Sequence, residues 1–242
     1  MSCASAMTCP FIACSRSALF GRFRFGSITL RAYSLLFLQT KLTPLSGQDP
    51  KGIPYDPNAP LSEQVAQSFA ASLRNLQTDY LDSLLLHSPL ADATQTMGVW
   101  RAMESLVDIG GVRQLGISNC YSLDQLNSLY NCARVKPAVV QNRFYAESAY
   151  DHEIRAFCGK QRIAYQSFWT LTANAQVLGH DTITRLASTY GRTAVQILFR
   201  YLTQTDVVPL TGTRSEAHMR EDLAIFEFKL TDRERDAVDA IF

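Results

Sequence analysis

The polar and apolar positions of the chain form short apolar runs separated by amphipathic segments, and the clearest run lies within residues 80–89, YLDSLLLHSP. Four leucines make this run apolar over the length of a strand, with Asp82 and Ser83 as its polar interruptions. A buried strand of a parallel sheet has such a nearly continuous apolar pattern, and a following proline ends it. We therefore expect His87 at the carboxyl end of a buried parallel strand, where the chain enters a loop.

Five further runs have the same form, and amphipathic segments lie between them. Strands are predicted at residues 35–41, 112–119, 137–142, 162–168 and 207–210. Helices are predicted at residues 61–78, 94–108, 122–132, 150–160, 182–190, 193–203 and 215–224, with a last helix that begins at Thr231. Ser62 is a candidate N-cap of the first helix, and Thr231 with Glu234 forms a capping-box pattern.

The alternation of strand and helix, repeated six times, predicts a parallel sheet with right-handed crossovers, as in an α/β barrel. Each predicted strand ends in polar residues: Thr40 and Lys41, His87, Ser118 and Asn119, Gln141 and Asn142, Gln166 and Ser167, and Thr211 and Thr213. Because the carboxyl ends of barrel strands meet at one rim, these side chains predict a ligand site there. Taken alone, His87 is better explained as a hydrogen-bonded histidine at a strand end.

Composition narrows the class of protein. The chain has 242 residues, 47% hydrophobic and 19% charged, which suits one compact α/β barrel or two small domains. A formal net charge of +1 gives no basic excess for nucleic acid, and no apolar run reaches the ~18 residues of a membrane-spanning helix. The six cysteines contain no CxxC pair, and the histidines show no ligand spacing, so we expect neither a zinc site nor another metal.

The first 38 residues differ in composition from the rest of the chain. They contain no Asp or Glu, but they contain four arginines and six serines. This composition is typical of an organellar transit peptide. A disordered leader, or a start that is not the natural beginning of the domain, are the alternatives. We therefore divide the chain into an atypical leader at residues 1–36 and a domain at residues 37–242, cytoplasmic unless the leader is a mitochondrial transit peptide.

Five motifs stand at or near the predicted strand ends. They are LQTK ending at Lys41, YLDSLLLHSP with His87, LGISN ending at Asn119, VVQN ending at Asn142, and GTxxxxHxxED over residues 212–222. Together and in this order they resemble the aldo-keto reductase family, a TIM-barrel family that reduces aldehydes and ketones with NADPH. The resemblance runs from about residue 37 to the end of the chain. The stretch YQSFWTLTAN at residues 165–174 resembles a branch of the family common in fungi.

The resemblance implies roles for individual residues. His87 would orient the substrate carbonyl and donate a hydrogen bond to its oxygen, and Lys41 would be the catalytic lysine that lowers the pKa of a tyrosine general acid. The cofactor would be NADP(H), with NAD(H) left open, and the partner a small carbonyl substrate. The implied cofactor contacts are Ser118, Asn119 and Gln141 at the nicotinamide carboxamide, Phe168 on the nicotinamide ring, Leu171 beside the pyrophosphate, and Thr213, Arg214, His218, Glu221 and Asp222 at the adenosine end.

The chain departs from the family pattern at both ends of this site. The family's catalytic Tyr and Asp precede the lysine strand in text like DTAxxY, which residues 1–38 lack; the nearest tyrosines are Tyr33 and Tyr55. We therefore expect an incomplete (β/α)8-type barrel of about six units, in a truncated or mis-started chain. At the adenosine end, Gly212-Thr213 and His218 replace the Lys-Ser and later Arg of many members, which leaves Arg214 to pair with a 2′-phosphate.

Three functions follow from these observations. The first is the reduction of an aldehyde or ketone to an alcohol by hydride transfer from NAD(P)H. The second is a non-catalytic nucleotide-binding remnant or regulatory protein, because the catalytic Tyr and Asp are absent. The third is an unrelated barrel hydrolase that uses His87, although the chain has neither a metal cluster nor a GxSxG elbow.

Overall fold

A computed structural model of the protein describes residues 36–242 and contains a six-stranded parallel sheet. Its strands are β1 (Gln39–Leu42), β2 (Leu81–Leu86), β3 (Val112–Ser118), β4 (Val139–Arg143), β5 (Ala164–Phe168) and β6 (Val207–Pro209). They lie side by side in chain order, and every neighbouring pair is parallel. The leader predicted at residues 1–36 lies outside the described part of the chain, except for its last residue.

Helices follow the strands, so the predicted alternation is confirmed. They are α1 (Leu61–Leu76), α2 (Ala93–Asp108), α3 (Leu123–Cys132), α4 (His152–Gln161), α5 (Ala175–Leu178), α6 (Asp181–Tyr190), α7 (Ala194–Gln204), α8 (Glu216–Leu223) and α9 (Asp232–Asp239). The sequence pattern did not predict the one-turn helix α5, nor the 3₁₀ turns at Leu45–Gly47, Ala146–Asp151, Thr172–Asn174 and Ala224–Glu227. Elements of three to six residues are too short to show a helical period.

Side-chain caps set several helix starts. The capping box predicted for α9 is confirmed, because Thr231 Oγ1 accepts from the Glu234 N–H at 3.3 Å and Glu234 Oε2 accepts from the Thr231 N–H at 2.8 Å. The prediction that Ser62 caps α1 is wrong. Pro60 occupies the N-cap position with an extended backbone, and Ser62 lies within the first turn of the helix.

The two polar residues inside the β2 run have different environments. Asp82 is buried, and its carboxylate accepts from Arg113 Nη1 at 2.6 Å and from the Leu38 N–H at 2.7 Å. It therefore ties the entry of β1 and the start of β3 to β2. Ser83 is also fully buried, but its hydroxyl has no hydrogen-bond partner in the described part of the chain.

The sheet curves into part of a barrel. Three strands separate β1 from β5, which would place them about 19 Å apart in a flat sheet. Nevertheless, Gln39 Nε2 on β1 donates to Gln166 Oε1 on β5 at 2.8 Å, across the inside of the curve. Within residues 36–242, β1 pairs only with β2 and β6 only with β5, so these six strands do not close the ring by themselves. The predicted barrel-type architecture with about six units is confirmed.

Gly116 permits the close approach of β3 to β4. A Cβ at this position would lie 2.7 Å from the Val139 carbonyl oxygen and 3.0 Å from Leu85 Cγ. Because both neighbours belong to buried strands, they cannot move without disturbing the sheet. We expect Gly116→Ala to lower the free energy of unfolding by about 1–3 kcal/mol, as overpacked core positions do. Urea denaturation followed by circular dichroism measures the change.

Gly98 in α2 is the matched control for this substitution. A Cβ at Gly98 meets nothing within 4 Å, and the residue lies in a helix interior. Gly98→Ala should therefore raise the free energy of unfolding by up to about 1 kcal/mol. If Gly116→Ala were as stable as Gly98→Ala, the close packing of β3 on β4 would be contradicted.

Candidate active site

One cavity of about 970 Å³ opens at the carboxyl edge of the sheet. Of the residues to which the resemblance assigns a role, Lys41, His87, Gln141 and Phe168 line it, whereas Ser118 and Asn119 do not. The strand-end residues Thr40 and Thr211 line it as well. The rest of its wall comes from β1, the loop after it, one face of α1 and the segments after β5 and β6: Gln39, Thr43, Gly47, Gln48, Asp49, Gly52, Pro54, Ser68, Ala71, Ser72, Asn75, Trp169, Leu210 and Gly212. Its volume is in the range of small-molecule and cofactor sites.

Lys41 lies at the end of β1 with its ammonium group turned into the barrel. Its Nζ donates to Ser118 Oγ at 3.1 Å and lies 5.3 Å from the centre of the Phe168 ring. No ion pair of Lys41 occurs within residues 36–242, and residues 1–48 contain no Asp or Glu. Burial without a carboxylate partner lowers the pKa of Lys41 from 10.5 to about 8.

His87 follows β2 and is held by its backbone. Its N–H donates to the Leu42 carbonyl at 2.8 Å, and its own carbonyl accepts from Asn119 Nδ2 at 2.8 Å. Imidazole Nδ1 is buried and has no hydrogen-bond partner in the described part of the chain. Burial, together with the charge of Lys41, lowers the pKa of His87, so the imidazole is neutral at neutral pH. The unpaired nitrogen distinguishes His87 from the ordinary hydrogen-bonded histidine that the sequence also allowed.

Ser118 and Asn119 end β3 beside these two residues. Ser118 Oγ accepts from Lys41, and its own hydroxyl hydrogen remains able to donate. Asn119 has φ 51°, which turns the chain sharply after the strand. Its amide nitrogen donates to the His87 carbonyl, and its Oδ1 accepts from the Tyr121 hydroxyl at 3.3 Å. In this structure the Asn119 side chain therefore braces the turn that carries His87.

Three buried glutamines form a chain of amides beneath Lys41. Gln166 Oε1 accepts from Gln39 Nε2 at 2.8 Å and from Gln141 Nε2 at 2.7 Å, and Gln166 Nε2 donates to Gln39 Oε1 at 3.2 Å. These bonds turn the amide nitrogen of Gln141 toward Gln166. Gln166 was among the polar strand-end residues from which the sequence predicted a ligand site, whereas Gln39 was not predicted. Gln39 stands two residues before Lys41, so the alternation of side chains along a strand was the available signal that both face inward.

Phe168 and Trp169 occupy different positions although they are adjacent. Phe168 faces Lys41, whereas Trp169 is 54% exposed and packs under Arg143, with the guanidinium 4.0 Å from its ring centre. Trp169 has φ 58°, and this left-handed backbone moves the indole to the mouth of the cavity.

The residues predicted for the adenosine end lie apart from His87. Thr211 Oγ1 donates to Asp222 Oδ2 at 2.9 Å, and Thr213 Oγ1 lies 3.5 Å from His218 Nδ1. The carbonyl of Glu221 accepts from Gln196 Nε2 at 2.9 Å. Thr211 and Gly212 reach the cavity, but the predicted residues of this end do not line it: Thr213, Arg214, His218, Glu221 and Asp222. Leu171 is also outside the lining and packs against the hydrophobic core.

Tyr55 is the tyrosine closest in sequence after Lys41, and it is buried. Its hydroxyl donates to the Thr43 carbonyl at 2.7 Å. Burial raises the pKa of Tyr55, despite a side-chain contact with Gln48 that lowers it. The proton of Tyr55 is therefore held by the backbone and Tyr55 does not line the cavity.

The chain is similar in sequence and in structure to known reductases. Residues 30–175 and 172–242 match the sequence model of the aldo/keto reductase family. An uncharacterised oxidoreductase and a glyoxal reductase, both of Bacillus subtilis (strain 168), are 30% and 31% identical to the chain over 179 residues. The match covers 74% of this chain but 62% and 63% of theirs, so the chain spans less than two thirds of their length. The crystal structure of an aldo/keto reductase from Brucella melitensis superposes with a TM-score of 0.73 at 27% identity, over 86% of this chain and 74% of that one.

The environment of Lys41 has a consequence for stability. Between pH 8 and 10.5 the unfolded chain holds a proton at Lys41 that the folded chain has released, so this residue makes the folded state more stable as pH rises. Below pH 8 the folded state bears the full cost of the buried charge. We therefore expect Lys41→Met to be more stable than the unsubstituted protein at pH 7, and the difference to shrink as pH rises toward 10.5.

Urea denaturation over this pH range measures the difference. The control is Lys229→Met, which removes an exposed lysine and should give no comparable gain at neutral pH. A Lys41→Met variant that is less stable than the unsubstituted protein at pH 7 would mean that the ammonium has a stabilising partner.

Proposed function

The chain belongs to the aldo/keto reductase family, and on that basis we propose that it reduces an aldehyde or ketone to an alcohol with NADPH as hydride donor. The observation that carries the proposal is the convergence of Lys41, His87, Gln141 and Phe168 on one cavity. These residues come from four different strand ends and are far apart in sequence. At the carboxyl rim of a parallel barrel, such a convergence is where catalytic sites are built.

The residues present fit the nicotinamide end of the cofactor. A carboxamide needs both donors and acceptors. Gln141 lines the cavity, and Ser118 beside it keeps a hydroxyl hydrogen able to donate, whereas the Asn119 amide would have to leave the His87 carbonyl to reach the cofactor. Because Gln141 Nε2 already donates to Gln166, its Oε1 is the atom left to accept from the carboxamide nitrogen. The Phe168 ring offers a flat face to a flat ring. When bound, the cofactor supplies a hydride to the carbonyl carbon.

The remainder of the cofactor would run along the segment after β6. Thr211 and Gly212 continue the cavity in that direction, toward the predicted residues of the adenosine end. Arg214 follows Gly212 and Thr213, just before α8, and can pair with a 2′-phosphate through two parallel hydrogen bonds. Leu171 would flank the pyrophosphate. NADP(H) is therefore the proposed cofactor, and NAD(H) is the alternative to be tested in the same assay.

His87 and Lys41 would act on the carbonyl oxygen. A neutral imidazole has one N–H, which can hydrogen-bond the oxygen and hold the carbonyl in place. The oxygen gains negative charge as the hydride arrives, and it then needs a proton. With a pKa of about 8, the Lys41 ammonium is mostly protonated at pH 7 and is a stronger acid than an ordinary lysine. We propose it as the proton donor, since the Tyr55 hydroxyl is engaged with the Thr43 carbonyl.

A second function, nucleotide binding without turnover, is favoured by a different observation. The cavity contains neither a tyrosine nor a carboxylate bonded to Lys41 in the part of the chain that the structure describes. Loss of a positioned acid typically removes about 10²–10⁴-fold in rate. The protein would then bind NADPH with its retained residues and reduce aldehydes slowly or not at all.

One experiment separates the two functions. The purified chain is titrated with NADPH while the fluorescence of Trp169, at the cavity mouth, is followed, and NADPH consumption is measured with 4-nitrobenzaldehyde. We expect saturable binding and turnover, and we expect His87→Ala to lower kcat/KM by about 10²–10⁴-fold with NADPH binding retained.

The matched control is His152→Ala, which removes an exposed histidine at the start of α4 and should leave turnover unchanged. Binding without turnover would favour the second function. A folded chain that binds neither NADPH nor NADH would contradict both proposed functions. Turnover that survives in His87→Ala would contradict the role given to His87.

A further inference from the structure

Two buried cysteines and the partly buried Lys41 differ in how readily they can react as nucleophiles. Burial raises the pKa of the Cys120 thiol to about 11 and that of the Cys158 thiol to about 12, so both are protonated and weakly nucleophilic at neutral pH. Burial has the opposite effect on an amine. Lys41 loses its proton more easily, and only the neutral amine is a nucleophile.

We propose that Lys41 also captures aldehydes covalently, by forming an imine in the same cavity without any nucleotide. The class of ligand is a small aldehyde that can reach the end of β1. This capture does not require hydride transfer, so it goes beyond the reduction proposed above and stands or falls separately from it.

The geometry supports the amine in this role. Lys41 lies in the wall of a cavity of about 970 Å³, so a carbonyl carbon can approach it. Among residues 36–242, Lys41 Nζ makes one hydrogen bond, to Ser118 Oγ. A tetrahedral nitrogen that donates one bond keeps its lone pair for attack once the extra proton is lost. The Phe168 ring shields one side of the group from water.

Few charged groups lie close enough to Lys41 to change its pKa. The titratable residues that share the cavity wall with it are Asp49 and His87. Asp49 is exposed in the loop after β1 and accepts from the Lys51 N–H at 3.0 Å, so it is part of a loop turn. His87 is neutral at neutral pH. At pH 7.5 about a quarter of the Lys41 amine is then unprotonated, against about one part in a thousand at a pKa of 10.5.

The chemistry balances without an oxidant or reductant. The Nζ lone pair forms a bond to the carbonyl carbon, the carbonyl π pair moves to oxygen, and a proton from nitrogen is transferred to that oxygen. The resulting hydroxyl then takes a proton from the protonated imidazole of His87 and leaves as water, while the nitrogen pair forms the C=N bond. The iminium nitrogen finally returns its remaining proton to His87. An amine and an aldehyde thus give an imine and water. The imidazole of His87, which lines the same cavity, can accept and return the protons.

Reductive trapping tests this capture. The full chain is incubated with benzaldehyde at pH 7.5 without nucleotide, sodium cyanoborohydride is added, and the lysines that gain a benzyl group are identified by mass spectrometry of peptides. We expect Lys41 to be labelled about tenfold or more faster than the exposed Lys136, because the fall of its pKa from 10.5 to about 8 raises the neutral fraction of Lys41 by more than that factor. The labelling rate of Lys41 should rise with pH and level off above about 8.

Two variants strengthen the test. Lys41→Arg should lose the label at this position while Lys136 is labelled as before, with circular dichroism to confirm that it folds. Ser118→Ala keeps the lysine but removes the acceptor of its ammonium hydrogen bond, which should increase Lys41 labelling at pH 7. Labelling of Lys41 at the rate of Lys136 would overturn the proposal, whatever the reductase assay shows. Trapping in a chain that does not consume NADPH would support the proposal and contradict the reductase function.

Discussion

The curvature of the parallel sheet is the constraint on which the site depends. β1 and β5 are not neighbours, yet their glutamines share a hydrogen bond of 2.8 Å across the inside of the curve. The same curve turns the ends of β1, β3 and β5 toward one another, which places Ser118 and Phe168 around the ammonium of Lys41. A flat sheet with the same strands and the same order would keep these groups too far apart to share a cavity.

The burial of Lys41 in the barrel determines how this residue can transfer protons and react with a carbonyl group. A lysine in water is a weak acid and, when protonated, no nucleophile at all. Burial without a carboxylate brings the pKa of Lys41 to about 8, so the ammonium and the neutral amine are both populated near neutral pH. The ammonium serves the proposed proton transfer, and the amine serves the proposed imine. Both roles depend on the lowered pKa of Lys41. The burial that lowers it also destabilises the folded chain, because the ammonium charge is removed from water.

Much of the fold was predictable because strand and helix periods are local properties. All six strands and the amphipathic helices follow from short windows of sequence, and the cap at Thr231 follows from the pairing of that residue with Glu234. The N-cap of α1 was wrong because Pro60 competes with Ser62 for the position at which the helix begins. The capping box of Thr193 with Gln196 was not predicted, because the helix at residues 193–203 was predicted from its apolar positions and not from a cap at its start.

For the site, the sequence by itself determined which polar residues end each strand, and hence that Lys41, His87, Ser118 and Gln141 meet at one rim. Only the tertiary structure decided what each of them does there. In the structure Lys41 donates to Ser118, and the Asn119 amide donates to the His87 carbonyl. His87 Nδ1 has no partner among the described residues, and Gln39 is hydrogen-bonded to Gln166. The physical reason is that position along a strand is encoded locally, whereas burial and hydrogen-bond partners depend on residues that are as many as 127 positions apart in the chain.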